Sequence, residues 1–264
     1  MIPIQILRVL STIRQYDVPA LLMGGQACVL YGAAEYSRDL DLAALATDAA
    51  LPRLAAAMQA LGATVIAVPP FEQQYLARGH AVHFSVPDAG PGTVTPLRVD
   101  IMSRMRGVAP FEELWERRTT IALPDPSSET EVFVDLLSLP DLVNAKKTQR
   151  DKDWPMLRRL VDASYASERE AEPAEERVNF WLAELRSPAF LRDAVARFPE
   201  SAARSDRRAV IAAREGADIA PVLASEQEAE MAADRAYWEP LRRELEALRH
   251  AARRSSGGNP PGLA

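Results

Sequence analysis

Two aspartates stand two residues apart in Arg38-Asp39-Leu40-Asp41-Leu42, where acid alternates with leucine. The alternation predicts a strand within residues 38–45, and residues two apart on a strand project from one face. Asp39 and Asp41 are therefore expected side by side. Adjacent carboxylates repel unless both are solvated or a cation lies between them, and a divalent metal ion resolves the repulsion. Upstream, the apolar run Val18–Met23 predicts a buried strand that closes on Gly24-Gly25. Glycines let the backbone approach a ligand closely, and the N–H groups at the start of the short helix that follows, predicted over residues 26–31, form an anion site. A third acid, Asp100, interrupts the apolar run Leu97-Arg-Val-Asp-Ile-Met102. A strand there, laid beside the Asp39–Asp41 strand, makes three carboxylates converge. One of them could bridge metal ions or accept the proton of an attacking hydroxyl. A phosphate cradle beside carboxylates that hold Mg²⁺ suits nucleoside triphosphate chemistry.

Each element alone has a plainer explanation. Gly-Gly is a common turn, Asp-x-Asp on a strand is often a solvated edge, and Asp100 could pair with Arg98 or Arg104. Their combination in this order is far more specific. Composition points the same way. The 264 residues contain one cysteine, Cys28, and three histidines, His80, His83 and His250. That excludes an internal disulfide and a cysteine-cluster zinc site and disfavours a histidine-rich centre, leaving oxygen ligands and hence Mg²⁺ or Mn²⁺. The formal net charge of -6 argues against coating nucleic acid by bulk charge, but not against phosphates held at one basic site.

The elements that must position these residues follow from periodicity. Helices are expected over residues 5–16, 51–61, 111–118, 141–147 and 154–165, and strands over 63–68, 81–86, 97–102 and 131–137, with a Gly- and Pro-rich loop over 88–96. Beyond Glu168 the chain is rich in Ala, Glu and Arg and reads as mostly helical. Residues 1–124 are read as an α/β domain, 125–252 as a helical domain and 253–264 as a disordered tail. No run of about 18 apolar residues predicts a membrane span, and no basic region precedes the apolar N-terminus as in a signal peptide, so a cytoplasmic protein with no membrane partner is expected. A basic island, Lys146, Lys147, Arg150, Lys152, Arg158 and Arg159, stands out in an acidic chain. His80 and His83 are expected on opposite sides of their strand, Cys28 in the core, and Trp115, Trp154, Trp181 and Trp238 as core or interdomain anchors.

Gly24-Gly25, Asp39-Leu40-Asp41 and Asp100, in this order, resemble the nucleotidyltransferase superfamily. More narrowly, Gly24-Gly25-Gln26-Ala27 and the segment Lys146-Lys-Thr-Gln-Arg150-Asp-Lys152-Asp153 resemble AbiEii-type minimal nucleotidyltransferases, many of them toxins of toxin–antitoxin or phage-defence systems. The likeness spans roughly residues 18–160. It implies an α+β fold: an N-terminal nucleotidyltransferase-type mixed sheet flanked by helices, then a helical C-terminal domain that supplies basic residues. It further implies transfer of a nucleoside monophosphate from an NTP to a hydroxyl or phosphate acceptor, with RNA, tRNA or protein as the acceptor and a cognate antitoxin as partner. Asp39, Asp41 and Asp100 would hold Mg²⁺ or Mn²⁺ and carry catalysis. Gly24, Gly25, Ser37, Arg38, Lys146, Arg150 and Lys152 would bind the triphosphate, with Asp153 orienting Lys152 or capping the next helix. One departure is visible. The family often has Arg-x-Thr before the acid pair, and here those positions hold Glu35 and Ser37, with Arg38 beside the pair. Two other functions fit the same residues: a catalytically silent module of this fold that binds a nucleotide or partner, and a transferase acting on small molecules of the antibiotic type.

Overall fold

The structure is a computed structural model that describes residues 2–87, 95–124 and 131–255. It is α+β, with a seven-stranded mixed sheet flanked by helices and a helical C-terminal region. By contacts the chain divides into two units. The first comprises Met1–Gln26, Ser37–Leu137 and Ala236–Ala264, and the second Ala27–Tyr36 and Ser138–Arg235.

The first unit opens with helix α1 (Ile4–Gln15), whose Ile6, Leu7, Val9, Leu10 and Ile13 recur at helical spacing and are all buried. Strand β1 (Ala20–Met23) follows, apolar and buried at every position. It passes without a loop into α2 (Gly24–Leu30), and Gly24 takes φ +66° at the junction, a region open to glycine at no steric cost. Then come β2 (Leu40–Ala44), α3 (Ala50–Ala60), β3 (Thr64–Val65), α4 (Gln73–Arg78), β4 (Val82–Val86), β5 (Leu97–Met102), α5 (Phe111–Glu116), β6 (Thr119–Pro124) and β7 (Glu131–Leu136). The sheet order is β3-β4-β5-β2-β1-β7-β6. Strand β2 runs parallel to β5 and antiparallel to β1, while β1 runs parallel to β7. Along β2 every residue is buried except Asp41, which is half-buried between Leu40 and Leu42. The leucines face one side of the sheet and the acid the other.

The second unit holds α6 (Leu139–Ala145), α7 (Asp153–Glu168), α8 (Glu175–Glu184), α9 (Pro188–Arg197), α10 (Pro199–Arg204) and α11 (Arg208–Arg214). Helix α12 (Ala220–Ser255) starts in this unit and ends in the first. The core of the second unit is aromatic. Tyr165 meets Trp181 edge to face at 5.2 Å, and Trp181 Nε1 donates to Ser164 Oγ at 3.0 Å, so the ring is buried with its one donor satisfied.

Several expectations shift. Strand β6 was not foreseen, and it pairs with β7, so the sheet extends to Leu136, past the domain boundary placed at residue 124. Strand β6 is half-exposed and ends in Pro124, a composition that suits an edge strand. Helix α4 was also unforeseen; it has one buried residue, Leu76, and so almost no apolar period to read. The strand expected over 63–68 is only two residues long. Residues 253–255, read as part of a disordered tail, continue α12, and residues 256–264 lie outside the described part, as does most of the loop over 88–96. Among the described residues no helix is long and apolar enough to cross a membrane.

Candidate active site

Strand β5 lies beside β2, and the register matches Asp41 with Asp100. The same row continues on both sides: Met23 of β1 opposes Asp41, and His83 of β4 opposes Asp100. Residues matched across neighbouring strands share a face, so Asp41, Asp100 and His83 stand in line across three strands. Asp39, two residues before Asp41, is exposed at the entry to β2. Arg98, two residues before Asp100, has its positive form favoured first by the hydrogen bond to Asp100 and further by the charges of Asp100, Asp39 and Asp41. The three sequence-predicted carboxylates thus all favour the charge of one cation, which contacts Asp100 directly.

Asp100 is the most constrained of the three. Arg98 Nε donates to its Oδ1 at 2.8 Å and Arg98 Nη2 to its Oδ2 at 3.0 Å, a two-pronged contact that suits the planar guanidinium. His83 Nδ1 donates to Oδ1 at 2.8 Å. Burial alone would raise the Asp100 pKa, but the hydrogen bonds from His83 and Arg98, with their charges, outweigh it and hold the carboxyl below its ordinary value. Asp100 was expected to hold the metal ion together with Asp39 and Asp41; here Arg98 and His83 engage it. Both its oxygens already accept from a cation, and Arg98 opposes a second positive charge beside it. Among the described residues no group of three or more His, Cys, Asp or Glu is arranged to hold a metal ion.

The glycines sit against this row. A Cβ on Gly24 would overlap the Asp41 carboxylate and come within 2.6 Å of its Cβ, and a Cβ on Gly25 would lie 2.8 Å from the Ser37 Cβ. Only glycine fits either position. Gly24→Ala is expected to cost about 1–2 kcal/mol from the left-handed backbone, and to displace Asp41 in addition. A lower urea midpoint together with loss of metal-dependent nucleotide binding is the expected result.

Gln26 was not singled out by sequence reasoning. It is buried, and its Nε2 donates to the Ser37 carbonyl at 2.7 Å, while Ser37 Oγ donates to the Asp39 carbonyl at 3.3 Å. These contacts fix the chain that enters β2 against the glycine turn. A polar residue directly after Gly-Gly in an apolar stretch was the available signal. Arg38 is exposed next to Asp39. His80 and His83 were expected on opposite sides of one strand; only His83 lies on β4, and His80 precedes it, buried, with Nε2 2.8 Å from Glu244 Oε2.

Lys146, Arg150 and Lys152 belong to the second unit. Lys146 is buried and its Nζ donates to Asp153 Oδ1 at 3.2 Å. Thr148 Oγ1 and Arg150 Nε donate to Asp153 Oδ2 at 2.5 and 2.7 Å. Asp153 is thus the hub of the turn between α6 and α7. Its cationic partners are Lys146 and Arg150, not Lys152, which is exposed at the start of α7. The helix receives no side-chain cap there. The expectation that Asp153 orients Lys152 or caps the helix is corrected accordingly. Burial pushes Asp153 up, but the charge of Lys146, the Thr148 hydrogen bond and Arg150 together hold its pKa below the usual value. A depressed folded-state pKa stabilises above the unfolded value of about 3.9, and that contribution is lost as pH falls through the folded value. Denaturant titrations between pH 7 and pH 3 are expected to show a steeper loss in the wild type than in a Lys146→Met/Asp153→Leu variant.

No family model matches the chain, and no curated protein matches it. Among solved structures, a crystal structure of JHP933 from Helicobacter pylori matches with 15% sequence identity and a TM-score of 0.39, covering 93% of this chain and 95% of that one.

Proposed function

We propose that the chain is a metal-dependent nucleotidyltransferase with a nucleotidyltransferase-type fold, moving a nucleoside monophosphate from an NTP to a hydroxyl or phosphate acceptor with release of pyrophosphate. The observation that carries the reading is the row in which Asp41 and Asp100 share a register, with Gly24 pressed so close to Asp41 that no side chain fits between them. Asp39 and Asp41 are the residues that would hold Mg²⁺ or Mn²⁺. Mg²⁺ commonly takes one or two carboxylates together with substrate phosphates, so a full protein cage is not required. When bound, the ion neutralises charge on the transferring phosphoryl group. Gly24 and Gly25 leave room for the Asp41 and Ser37 side chains, and Gln26 and Ser37 fix the segment that aims Asp39; contact of the two glycines with the triphosphate rests on the resemblance. A carboxylate held below its ordinary pKa is a weak general base at neutral pH. Asp100 therefore acts with Arg98 and His83 to set the field around Asp41. An RNA, tRNA or protein acceptor and a toxin's role with a cognate antitoxin rest on the resemblance.

The test is incubation with each NTP, labelled at the α or the γ phosphate, with Mg²⁺, total RNA and total protein. Label from the α position on an acceptor, with γ label leaving as pyrophosphate, is the expected result. Label from the γ position on the acceptor identifies a kinase instead. A second reading, the silent nucleotide-binding module, is favoured by one observation: Asp100 is already neutralised by Arg98. Metal-dependent NTP binding without transfer across the acceptor panel would select it.

A further inference from the structure

Arg186, just beyond α8, is a buried cation whose hydrogen bonds are incomplete. Its side chain is 9% exposed, and its Nε and Nη1 are buried with no hydrogen-bond partner. Two carboxylates stand near, Glu184 Oε2 at 3.8 Å from Nη2 and Glu226 Oε2 at 3.8 Å from Nη1, both beyond hydrogen-bond range. Each carboxylate is shared with another cation, and Glu184 Oε2 itself has no hydrogen-bond partner. Lys147 Nζ donates to Glu184 Oε1 at 2.6 Å, and Arg207 donates through Nε and Nη2 to Glu226 Oε2 at 3.0 and 2.8 Å. The Arg186 guanidinium lies over the Trp154 ring, 5.1 Å from its centroid, an attraction that supplies no acceptor for its N–H groups. A guanidinium has five fixed donors, and buried donors without acceptors are costly.

This side chain lines a cavity of about 400 Å³ within the second unit. Arg158 is the other cation in the lining, Asp151 the one acid, and Leu223 and Ala224 give it an apolar wall. The volume falls within the range of small-molecule sites and leaves room for a ring-sized body beside an anionic head. Two guanidiniums and one acid line the cavity, while Glu184 and Glu226 behind Arg186 are shared with Lys147 and Arg207; the lining suits an anionic head, and the guanidinium fork matches phosphate oxygens.

We propose that this cavity is a binding site for a small phosphate monoester, its phosphate held by Arg186 and Arg158 and its apolar body against Leu223 and Ala224. The site is separate from the Asp39–Asp41 row in residues and in chemistry, and the proposal does not depend on transferase activity.

Calorimetric titration of the full chain with phenyl phosphate, inorganic phosphate and benzoate tests it. Saturable binding of phenyl phosphate is expected, tighter than that of inorganic phosphate or benzoate. Arg186→Met is expected to weaken it at least tenfold. Its own unfolding temperature should stay the same or rise, because an incompletely paired buried charge is gone. Ala224→Trp, at an exposed position in the lining, fills the cavity while keeping both arginines and should weaken binding equally. Absence of saturable phenyl phosphate binding would overturn the proposal. So would equal binding by the wild type and both variants, or benzoate binding as tightly as phenyl phosphate.

Discussion

Asp41→Asn is expected to lower nucleotidyl transfer by at least about 100-fold, the loss typical when one preorganised electrostatic partner of a transferring group is removed. The substitution keeps the shape of the side chain and removes its charge. Asp41 faces Asp100 across β2 and β5, and like charges set directly opposite destabilise a sheet. The variant is therefore expected to unfold within about 1 kcal/mol of the wild type, and the lost activity cannot be assigned to lost structure. Transfer rates from an α-labelled NTP, measured beside urea unfolding of the same preparations, check both halves. Equal transfer by the variant and the wild type would remove Asp41 from the chemistry. Asp39→Asn is expected to follow the same pattern, since Asp39 precedes the strand and carries none of its packing.

Asp153→Ala is expected to destabilise the second unit by about 3–5 kcal/mol, the cost of leaving one member of a buried ion pair behind. Lys146 and Asp153 have side chains only 8% and 3% exposed, so Lys146 would be stranded away from water. Arg150 offers no rescue, because it is mostly exposed and is itself a cation. Thr148 would lose its acceptor as well. Replacing both partners with apolar residues, as in Lys146→Met/Asp153→Leu, removes the charge along with its partner and is expected to recover most of the loss. A double-mutant cycle in urea reads the coupling directly. If Asp153→Ala unfolds like the wild type, the pair is not a structural hub, and Lys146 is available for the phosphate role that the sequence suggested.

The local features were legible in the sequence, and the pairings across the fold were not. Alternation along Leu40-Asp41-Leu42 predicted the strand and the face on which the acid stands, because a period of two is a property of the backbone itself. Gly24-Gly25 announced a close approach, though not that Asp41 is what the glycine accommodates. Arg98 and Asp100 are two apart on one strand, and their pairing was among the options that spacing alone left open. His83 could not be found this way. Its place beside Asp100 depends on the antiparallel register of β4 and β5, which is set by residues far apart in the chain. The basic island was visible as composition, yet its meaning depended on burial. Lys146 and Arg150 fold onto Asp153 across a turn, a contact that a count of charges does not reveal. Strand β6 was missed because its half-exposed alternation carries little apolar signal.

In the proposed reaction a divalent ion and a triphosphate meet at Asp39 and Asp41 beside Gly24. The most direct measurement is binding of Mn²⁺, followed by its paramagnetic resonance signal, with and without a non-hydrolysable NTP analogue. The expected result is that the wild type binds Mn²⁺ weakly alone and at least tenfold more tightly with the analogue, and that an Asp39→Asn/Asp41→Asn variant loses both. Identical Mn²⁺ binding by the wild type and that variant, with and without the analogue, would contradict it.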